Sequence, residues 1–236
     1  MQPTTNNVPK HVGIILDGNR RFAKKLMLKP FKGHEWGAKK IEQLLNWGKE
    51  YEIKELTLYT FSVENFDRPK KEFDYLMALF KKEFTTLQKD KRLKENQIRI
   101  NFIGRISMFP ESVRKAMEEL MEKTKYYKKC VLNFAMAYGG RAEVIDATKK
   151  IAKQIQEGKL SVEDINETTF ADNLYLNSDV DLLIRTSESR LSGFLPWQST
   201  YSEVIFLPNK LWPEFDKQDF KACLQEYSQR KRRFGK

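Results

Sequence analysis

Short apolar segments alternate with longer amphipathic segments along most of the chain. Six apolar segments have the length of a strand, at residues 11–16, 55–61, 98–103, 131–137, 180–184 and 201–207. Most of them are apolar at successive positions, which is typical of strands buried on both faces of a sheet. They predict a central, mostly parallel, six-stranded sheet.

The segments between these strands repeat their apolar positions at helical spacing. They predict helices at residues 36–51, 73–87, 112–126, 142–156 and 219–231. Strands that alternate with helices indicate an α/β fold with helices flanking the sheet. We expect a single domain over residues 10–236, preceded by a flexible N-terminus at 1–9. Ligands of such folds bind beyond the carboxyl ends of the strands.

Composition excludes several classes of protein. The 236 residues include two cysteines and two histidines, too few for a disulfide scaffold or a zinc site built on those residues. No apolar run reaches the ~18 residues of a membrane span, and the polar first residues do not form a signal peptide. We therefore expect a cytoplasmic protein. Its net charge of +11 predicts an anionic partner, which is a nucleic acid, an acidic membrane surface or a phosphorylated small molecule.

An acidic residue, a glycine and a basic stretch follow the first predicted strand. Asp17 and Gly18 come first, and residues 20–40 contain eight basic residues, His34 and one acidic residue. Gly18 permits close approach of the backbone, and the N-terminus of a following helix attracts anions. A phosphate or metal site fits this pattern, and so does a helix cap followed by a solvated basic face.

Polar residues also follow two other predicted strands. Ser62, Asn65 and Arg68 follow the second strand, where ordinary turn chemistry would explain them equally well. Arg185, Arg190 and several hydroxyl groups follow the fifth strand and make an anion cradle. With Asp17 and Glu203 as two acids for a divalent cation, the set suggests magnesium and diphosphates. The sequence lacks a P-loop and a dinucleotide-binding glycine motif.

Five segments in order, at residues 11–22, 61–69, 133–141, 181–186 and 194–203, resemble the cis-prenyltransferase family, the undecaprenyl diphosphate synthases. The resemblance extends over nearly the whole chain. It implies a homodimer that condenses isopentenyl diphosphate onto an allylic diphosphate, either geranylgeranyl or farnesyl diphosphate. The product would be a long-chain polyprenyl diphosphate, precursor of a glycosyl carrier lipid. It also implies Mg²⁺ as cofactor, peripheral contact with a membrane during product release, and no nucleic acid partner.

The resemblance also implies roles for individual residues. Asp17 resembles the essential magnesium-binding aspartate, and Glu203 resembles the second metal ligand. Asn65, with Ser62, resembles the group that assists proton removal. The residues that resemble the substrate-binding set are Gly18, Asn19, Arg20, Arg21, Phe22, Lys29, His34, Ser62, Val63, Glu64, Phe66, Arg68, Arg185, Arg190, Leu191, Ser192, Arg233 and Gly235. Arg233 and Gly235 match a motif that reaches into the partner subunit's active site.

Three positions depart from the common pattern of the family. Arg20 stands where many bacterial members have glycine, Lys29 lies near the position of a family arginine, and the loop at residues 187–189 lacks a glycine pair. Two alternative functions remain at this level. One is a non-catalytic subunit of a heteromeric cis-prenyltransferase, although this chain keeps Asp17 and Asn65. The other is a basic nucleic-acid-binding protein.

An apolar stripe on the second predicted helix has two interpretations. It consists of Phe73, Leu76, Met77, Phe80, Phe84 and Leu87. It would line a channel for the growing hydrocarbon, or it would be ordinary core packing, which the periodicity alone favours.

Overall fold

A computed structural model describes residues 8–230, so most of the predicted flexible N-terminus, together with Arg233 and Gly235, lies outside the described residues. The described chain forms one six-stranded sheet in the order β3-β4-β2-β1-β5-β6, and all neighbouring strands are parallel. The strands are β1 (His11–Ile15), β2 (Glu55–Ser62), β3 (Ile98–Ile103), β4 (Cys130–Tyr138), β5 (Leu182–Thr186) and β6 (Glu203–Leu207). The predicted α/β class and the six-stranded sheet are confirmed.

Helices flank this sheet. They are α1 (Asn19–Lys25), α2 (Gly33–Glu50), α3 (Lys70–Gln88), α4 (Lys91–Glu95), α5 (Glu111–Thr124), α6 (Gly140–Gln156), α7 (Glu167–Asn173) and α8 (Lys217–Gln229). The five long helices were predicted. Of the three short ones, α1 was expected only as a helix of unstated length after Gly18, and α4 and α7 were not predicted, because segments of five to seven residues are too short to show a helical period.

The sheet is buried on both faces, as its apolar sequence requires. Every residue of β1 and β5 is buried. On one face, α3 and α5 cover an aromatic cluster that includes Phe61, Phe80 and Phe109. On the other face, a smaller cluster surrounds Tyr138 and Phe194.

The chain order places the ends of three strands side by side. Strand β1 lies at the middle of the sheet, between β2 and β5. The chain after β1 returns to the sheet as β2 on one side, whereas the chain after β5 returns as β6 on the other side. Ligands of parallel α/β sheets bind where the strand order switches in this way. The residues that follow β1, β2 and β5 therefore lie at the end of the sheet where a ligand is expected.

Candidate active site

A cavity of about 630 Å³ opens at the carboxyl ends of β1, β2 and β5. It brings together residues that are far apart in sequence and mostly charged or polar. From the predicted set it contains Asp17, Gly18, Asn19, Arg20, Arg21, His34, Ser62, Asn65, Arg68, Arg185, Arg190 and Ser192. We refer to it below as the polar cavity.

Tight packing of glycines fixes the backbone at the start of α1. Gly18 has a φ of +109°, and a Cβ atom added there would lie 2.4 Å from Ser187 Oγ. A Cβ atom at Gly33 would lie 1.8 Å from the carbonyl oxygen of Asn19. Larger residues at Gly18 and Gly33 would therefore displace α1 from the end of the sheet.

Two arginines hold the carboxylate of Asp17. Arg185 Nη2 lies 3.1 Å from Asp17 Oδ2, and Arg21 Nη2 lies 3.4 Å from the same atom. Arg185 is buried and also donates to Ser192 Oγ at 2.7 Å. A buried guanidinium with fixed partners is a preorganised anion site, because its donors are already oriented.

The main chain at Asp17 is fixed as firmly as its side chain. Thr186 Oγ1 donates to the carbonyl oxygen of Asp17 at 2.7 Å, and the backbone N–H of Trp212 donates to it at 2.9 Å. Trp212 is fully buried and donates from Nε1 to the carbonyl of Gly37 at 3.0 Å. The carboxylate therefore projects into the polar cavity from a rigid support.

The loop after β5 completes this wall. Ser187 has a φ of +73°, a left-handed conformation that favours glycine. Its carbonyl accepts a hydrogen bond from Arg21 Nη1 at 3.1 Å. Glu188 pairs with Arg21 at 3.2 Å and with Arg190 at 2.8 Å. The loop thus holds two of the cavity's arginines without the glycine pair that is common in the family it resembles.

His34 stands among positive charges on the opposite wall. Its Nε2 atom lies 3.4 Å from Arg68 Nη1, and Arg68 is paired with buried Glu72. Burial, with smaller contributions from the positive charges of Arg68 and Arg20, lowers the pKa of His34 to about 3. His34 is therefore neutral near pH 7 and can exchange hydrogen bonds without adding to the charge of the cavity.

Ser62 and Asn65 form a local turn at the same time as they line the cavity. The backbone N–H of Ser62 donates to Asn65 Oδ1 at 3.1 Å, as part of a reciprocal cap. These two residues therefore do form the local turn that their sequence suggested. The Asn65 Nδ2 donor forms no hydrogen bond with any of residues 8–230 and is available to a ligand.

The residues around Asp17 fit a magnesium ion that is shared with a diphosphate. Mg²⁺ is usually bound through one or two carboxylates together with waters and substrate phosphates. Asp17 supplies one carboxylate, a third of which is exposed to the cavity. Within residues 8–230 there is no group of three histidine, cysteine or acidic side chains that would form a cage made only by the protein. Asp17 would hold the ion, which when bound would neutralise charge on the diphosphate.

A second cavity, of about 480 Å³, adjoins the polar one and is lined mainly by apolar side chains. The two cavities share Leu16, Asn19, His34 and Thr60. The second cavity, called the apolar cavity below, lies between α2 and α3. It is lined by Ile41, Leu45, Leu79, Phe80, Phe84, Leu87 and Phe134. Arg92 also lines this cavity, where it pairs with Asp90 and, at 3.0 Å, with Glu42.

Comparison with known proteins gives one consistent answer. A family model described as "Putative undecaprenyl diphosphate synthase" matches residues 15–235. The chain belongs to this family. A tritrans,polycis-undecaprenyl-diphosphate synthase (geranylgeranyl-diphosphate specific) from Thermococcus kodakarensis is 46% identical over 98% of this chain and 89% of its own length. An isoprenyl transferase from Thermus thermophilus is 45% identical over 97% of this chain and 89% of its own length.

A solved structure extends the match to three dimensions. Lavandulyl diphosphate synthase from Lavandula x intermedia, in complex with dimethylallyl diphosphate, superposes with a TM-score of 0.92 at 34% identity. The match covers 97% of this undecaprenyl diphosphate synthase family member and 99% of the plant chain. The resemblance inferred from the five motifs is therefore confirmed.

Several predicted site residues do not line the polar cavity of this family member. They are Phe22, Lys29, Val63, Glu64, Phe66, Leu191 and Glu203. Phe66 packs in the aromatic cluster against Phe61 and Phe109. Phe22 makes an edge contact with Trp36, with ring centres 5.6 Å apart. Their roles toward substrate stay predictions.

Glu203 lies at the opposite edge of the sheet from Asp17. It begins β6 and is level with Leu182 and Val12, at the amino ends of β5 and β1. Asp17 follows the carboxyl end of β1, so the two carboxylates are separated by more than about 10 Å along the strands. Glu203 pairs instead with Arg230 at 2.7 Å. One chain does not bring these two predicted metal ligands together.

Four polar or charged residues of the polar cavity were not predicted from the sequence: Lys24, Tyr59, Thr60 and Glu188. Lys24 and Glu188 lie in the two basic segments that were singled out, so position in those segments was the available signal. Burial, with a smaller contribution from the Glu64 carboxylate, raises the pKa of Tyr59 to about 12, so this phenol keeps its proton near pH 7. Tyr59 and Thr60 belong to a strand, and nothing in their sequence pattern marks them.

None of the helices within residues 8–230 combines the length and the apolar character that crossing a bilayer requires.

Proposed function

We propose that this protein is a cis-prenyltransferase that condenses isopentenyl diphosphate repeatedly onto an allylic diphosphate and forms a long-chain polyprenyl diphosphate. The observation that carries this proposal is the junction of the two cavities. A basic cavity suited to diphosphates opens directly, past Asn19 and His34, into an apolar cavity suited to a hydrocarbon. The substrate and product of prenyl elongation have these two parts.

The arginines divide into two groups that match two diphosphates. Arg20 and Arg68 both pair with Glu72, and Arg68 lies beside His34, which belongs to both cavities. With Arg21 they would bind the allylic diphosphate. Arg185 and Arg190, with Ser192, lie on the β5 side and would bind isopentenyl diphosphate. Guanidinium groups suit this role because their planar donors match phosphate oxygens and keep their charge at all relevant pH values.

Separation of the allylic diphosphate leaves a carbocation and concentrates negative charge on the leaving group. Arginines already fixed in the polar cavity stabilise that charge without reorganising. Mg²⁺, held by Asp17 and the diphosphate, would supply further positive charge when bound. The double bond of isopentenyl diphosphate would attack the allylic carbocation to form the new C–C bond, and loss of a proton from isopentenyl diphosphate to the released diphosphate or to water would complete each condensation. The Asn65 amide and the Ser62 hydroxyl would orient the group that accepts the proton, since neither is itself a strong base.

A homodimer would complete the site. Glu203 is remote from Asp17 in the same chain, and it pairs with Arg230 immediately before the C-terminal residues that include Arg233 and Gly235. If Glu203 is a metal ligand, it serves a site other than the one formed by its own Asp17. The dimer, the second metal ligand and the role of Arg233 and Gly235 are therefore parts of one proposal. We further propose a cytoplasmic enzyme that meets a membrane surface when it releases its lipid product.

Geranylgeranyl diphosphate is the starter that we propose. The archaeal relative from Thermococcus kodakarensis carries this specificity in its name, and nearly half of its residues are shared. Farnesyl diphosphate is the competing starter.

The decisive experiment supplies the purified chain with Mg²⁺, labelled isopentenyl diphosphate and either starter. We expect incorporation with geranylgeranyl diphosphate into products that extend by whole isoprene units. Asp17→Ala should lower kcat more than tenfold, whereas Asp74→Ala, at an exposed residue of α3, should not. A loss within tenfold corresponds to only ~1.4 kcal/mol of barrier and would remove Asp17 from the mechanism. Incorporation that appears only after a second, different chain is added would favour the non-catalytic subunit instead.

A further inference from the structure

The turn after α1 exposes three consecutive apolar side chains. Leu26 and Leu28 are each 44% exposed, and Met27 is 95% exposed. The backbone of this turn is nevertheless hydrogen-bonded. The N–H of Met27 donates to the carbonyl oxygen of Lys24 at 3.0 Å, and the N–H of Leu28 donates to the carbonyl oxygen of Ala23 at 2.9 Å. The exposure therefore belongs to an ordered turn. We call Leu26, Met27 and Leu28 the apolar turn.

Positive charge surrounds the apolar turn. Lys24 and Lys29 flank it, and neither has a carboxylate within 4 Å among the residues that the structure describes. Lys25 and Lys32, by contrast, are neutralised by acidic neighbours at 2.6 and 3.0 Å. Apolar side chains beside unpaired lysines are the combination that binds an anionic lipid surface, where the apolar groups enter the boundary layer and the cations face the headgroups.

An exposed aromatic side chain packs on α1, the helix that leads into the apolar turn. Trp36 is 48% exposed and contacts Phe22 of α1, and Lys39 Nζ lies 5.9 Å from its ring centre. Tryptophan is enriched at membrane–water boundaries because its ring is apolar and its N–H is polar. Lys24, at one end of the apolar turn, also lines the polar cavity. The surface thus begins at the mouth of the active site.

We infer that the apolar turn, with Lys24, Lys29 and Trp36, is the surface by which this enzyme docks on an anionic membrane. A protein partner fits less well. A stable protein interface buries about 800 Å² of accessible surface on each partner, and four apolar side chains supply only a small part of that area. The inference deepens the proposed function, since a polyprenyl diphosphate leaving the polar cavity would meet lipid at once. Docking itself requires no catalysis and is measured separately.

The test is flotation of the full chain, without substrate, on vesicles made of equal amounts of phosphatidylcholine and phosphatidylglycerol. We expect binding that falls with added salt and is much weaker on phosphatidylcholine alone. The variant L26S/M27S/L28S should bind roughly tenfold more weakly, because its apolar contribution is lost. Lys29→Ala should weaken binding about fivefold, the contribution of one lysine near an anionic surface. Met108→Ser removes another exposed methionine and should bind as the wild type does.

Three results would overturn the inference. One is equal vesicle binding by the wild type and the triple variant. Another is a smaller oligomer for the triple variant in size-exclusion chromatography, which would show that a second copy covers the apolar turn. The third is loss of turnover by the triple variant in detergent, which would place the turn in the catalytic machinery. Failure of the proposed function can be distinguished from failure of this inference. A protein that shows no prenyl transfer but still binds the anionic vesicles would refute the proposed function and leave the docking surface supported.

Discussion

Two leucines three residues apart on α3 allow the channel and the core interpretations of the apolar stripe to be tested separately. Leu79 lines the apolar cavity, whereas Leu76 is 1% exposed and lines neither cavity. Truncation of either residue to alanine removes the same three carbon atoms. The space next to Leu79 is already open, so Leu79→Ala enlarges an existing cavity. Leu76→Ala creates a new cavity among packed side chains.

The expected stability losses follow from this difference. Losing three buried carbons costs about 2.4 kcal/mol of transfer free energy at either position. At Leu76 the new void adds to this loss, and we expect about 3–5 kcal/mol in total. Leu79→Ala should therefore be the more stable variant and should yield products at least one isoprene unit longer. Leu76→Ala should keep the product length of the wild type.

The assay is product chromatography and denaturant unfolding of both variants on the same preparations, with geranylgeranyl diphosphate as the starter. The starter's KM should stay within about twofold of wild type, because the polar cavity is unchanged. Longer products from Leu76→Ala with unaltered products from Leu79→Ala would refute this assignment of the two faces of α3. Unaltered products from both variants would show that the apolar cavity does not accommodate the growing chain.

Three further predictions concern the polar cavity and the C-terminus. Gly33→Ala should lower both stability and kcat, because its Cβ atom would overlap the Asn19 carbonyl, and unfolding and turnover measurements check this. Because the pKa of His34 falls from 6.5 to about 3 on folding, the unfolded chain binds the extra proton, and stability should fall as the pH drops below 6.5, with a slope that approaches about 1.4 kcal/mol per pH unit. His34→Gln should lose that part of the slope in unfolding measured between pH 6.5 and 5, and an unchanged slope would contradict it. Truncation after Arg232 should raise the KM for isopentenyl diphosphate or lower kcat without dissociating the dimer, and steady-state kinetics with size-exclusion chromatography test this.

Physical rules explain which parts of the site the sequence could predict. Asp17, Ser62 and Arg185 end or follow buried strands, so their meeting at one edge follows from parallel strand direction. The same rule places Glu203 elsewhere, because it begins its strand. That signal was available in the sequence, yet both the residue pattern and the resemblance paired Glu203 with Asp17 as ligands of a divalent cation, without saying whether one chain or two supply them.

Other features depend on packing that no local pattern reports. Helical spacing identified the stripe on α3 but not which of its residues border empty space. In the structure Phe80, Phe84 and Leu87 line the apolar cavity, whereas Leu76 and Met77 are packed in the core. A periodic stripe predicts that one face of a helix is buried. Whether that face packs against side chains or borders a cavity depends on the distance between the helix and its neighbour.

Helix α2 connects the two halves of the site. His34, in its first turn, belongs to both cavities, and Leu45, three turns later, lines the apolar cavity alone. A helix rises about 1.5 Å per residue, so the eleven residues between them span roughly 17 Å. In the proposed function the diphosphate end of a substrate would lie near His34, and its hydrocarbon would extend along the helix past Glu42, which pairs with Arg92. The hydrocarbon has no favourable contact with that ion pair, since desolvating two charges against an apolar chain is costly. The polar and the apolar requirements of prenyl elongation are thus met at the two ends of one rigid element.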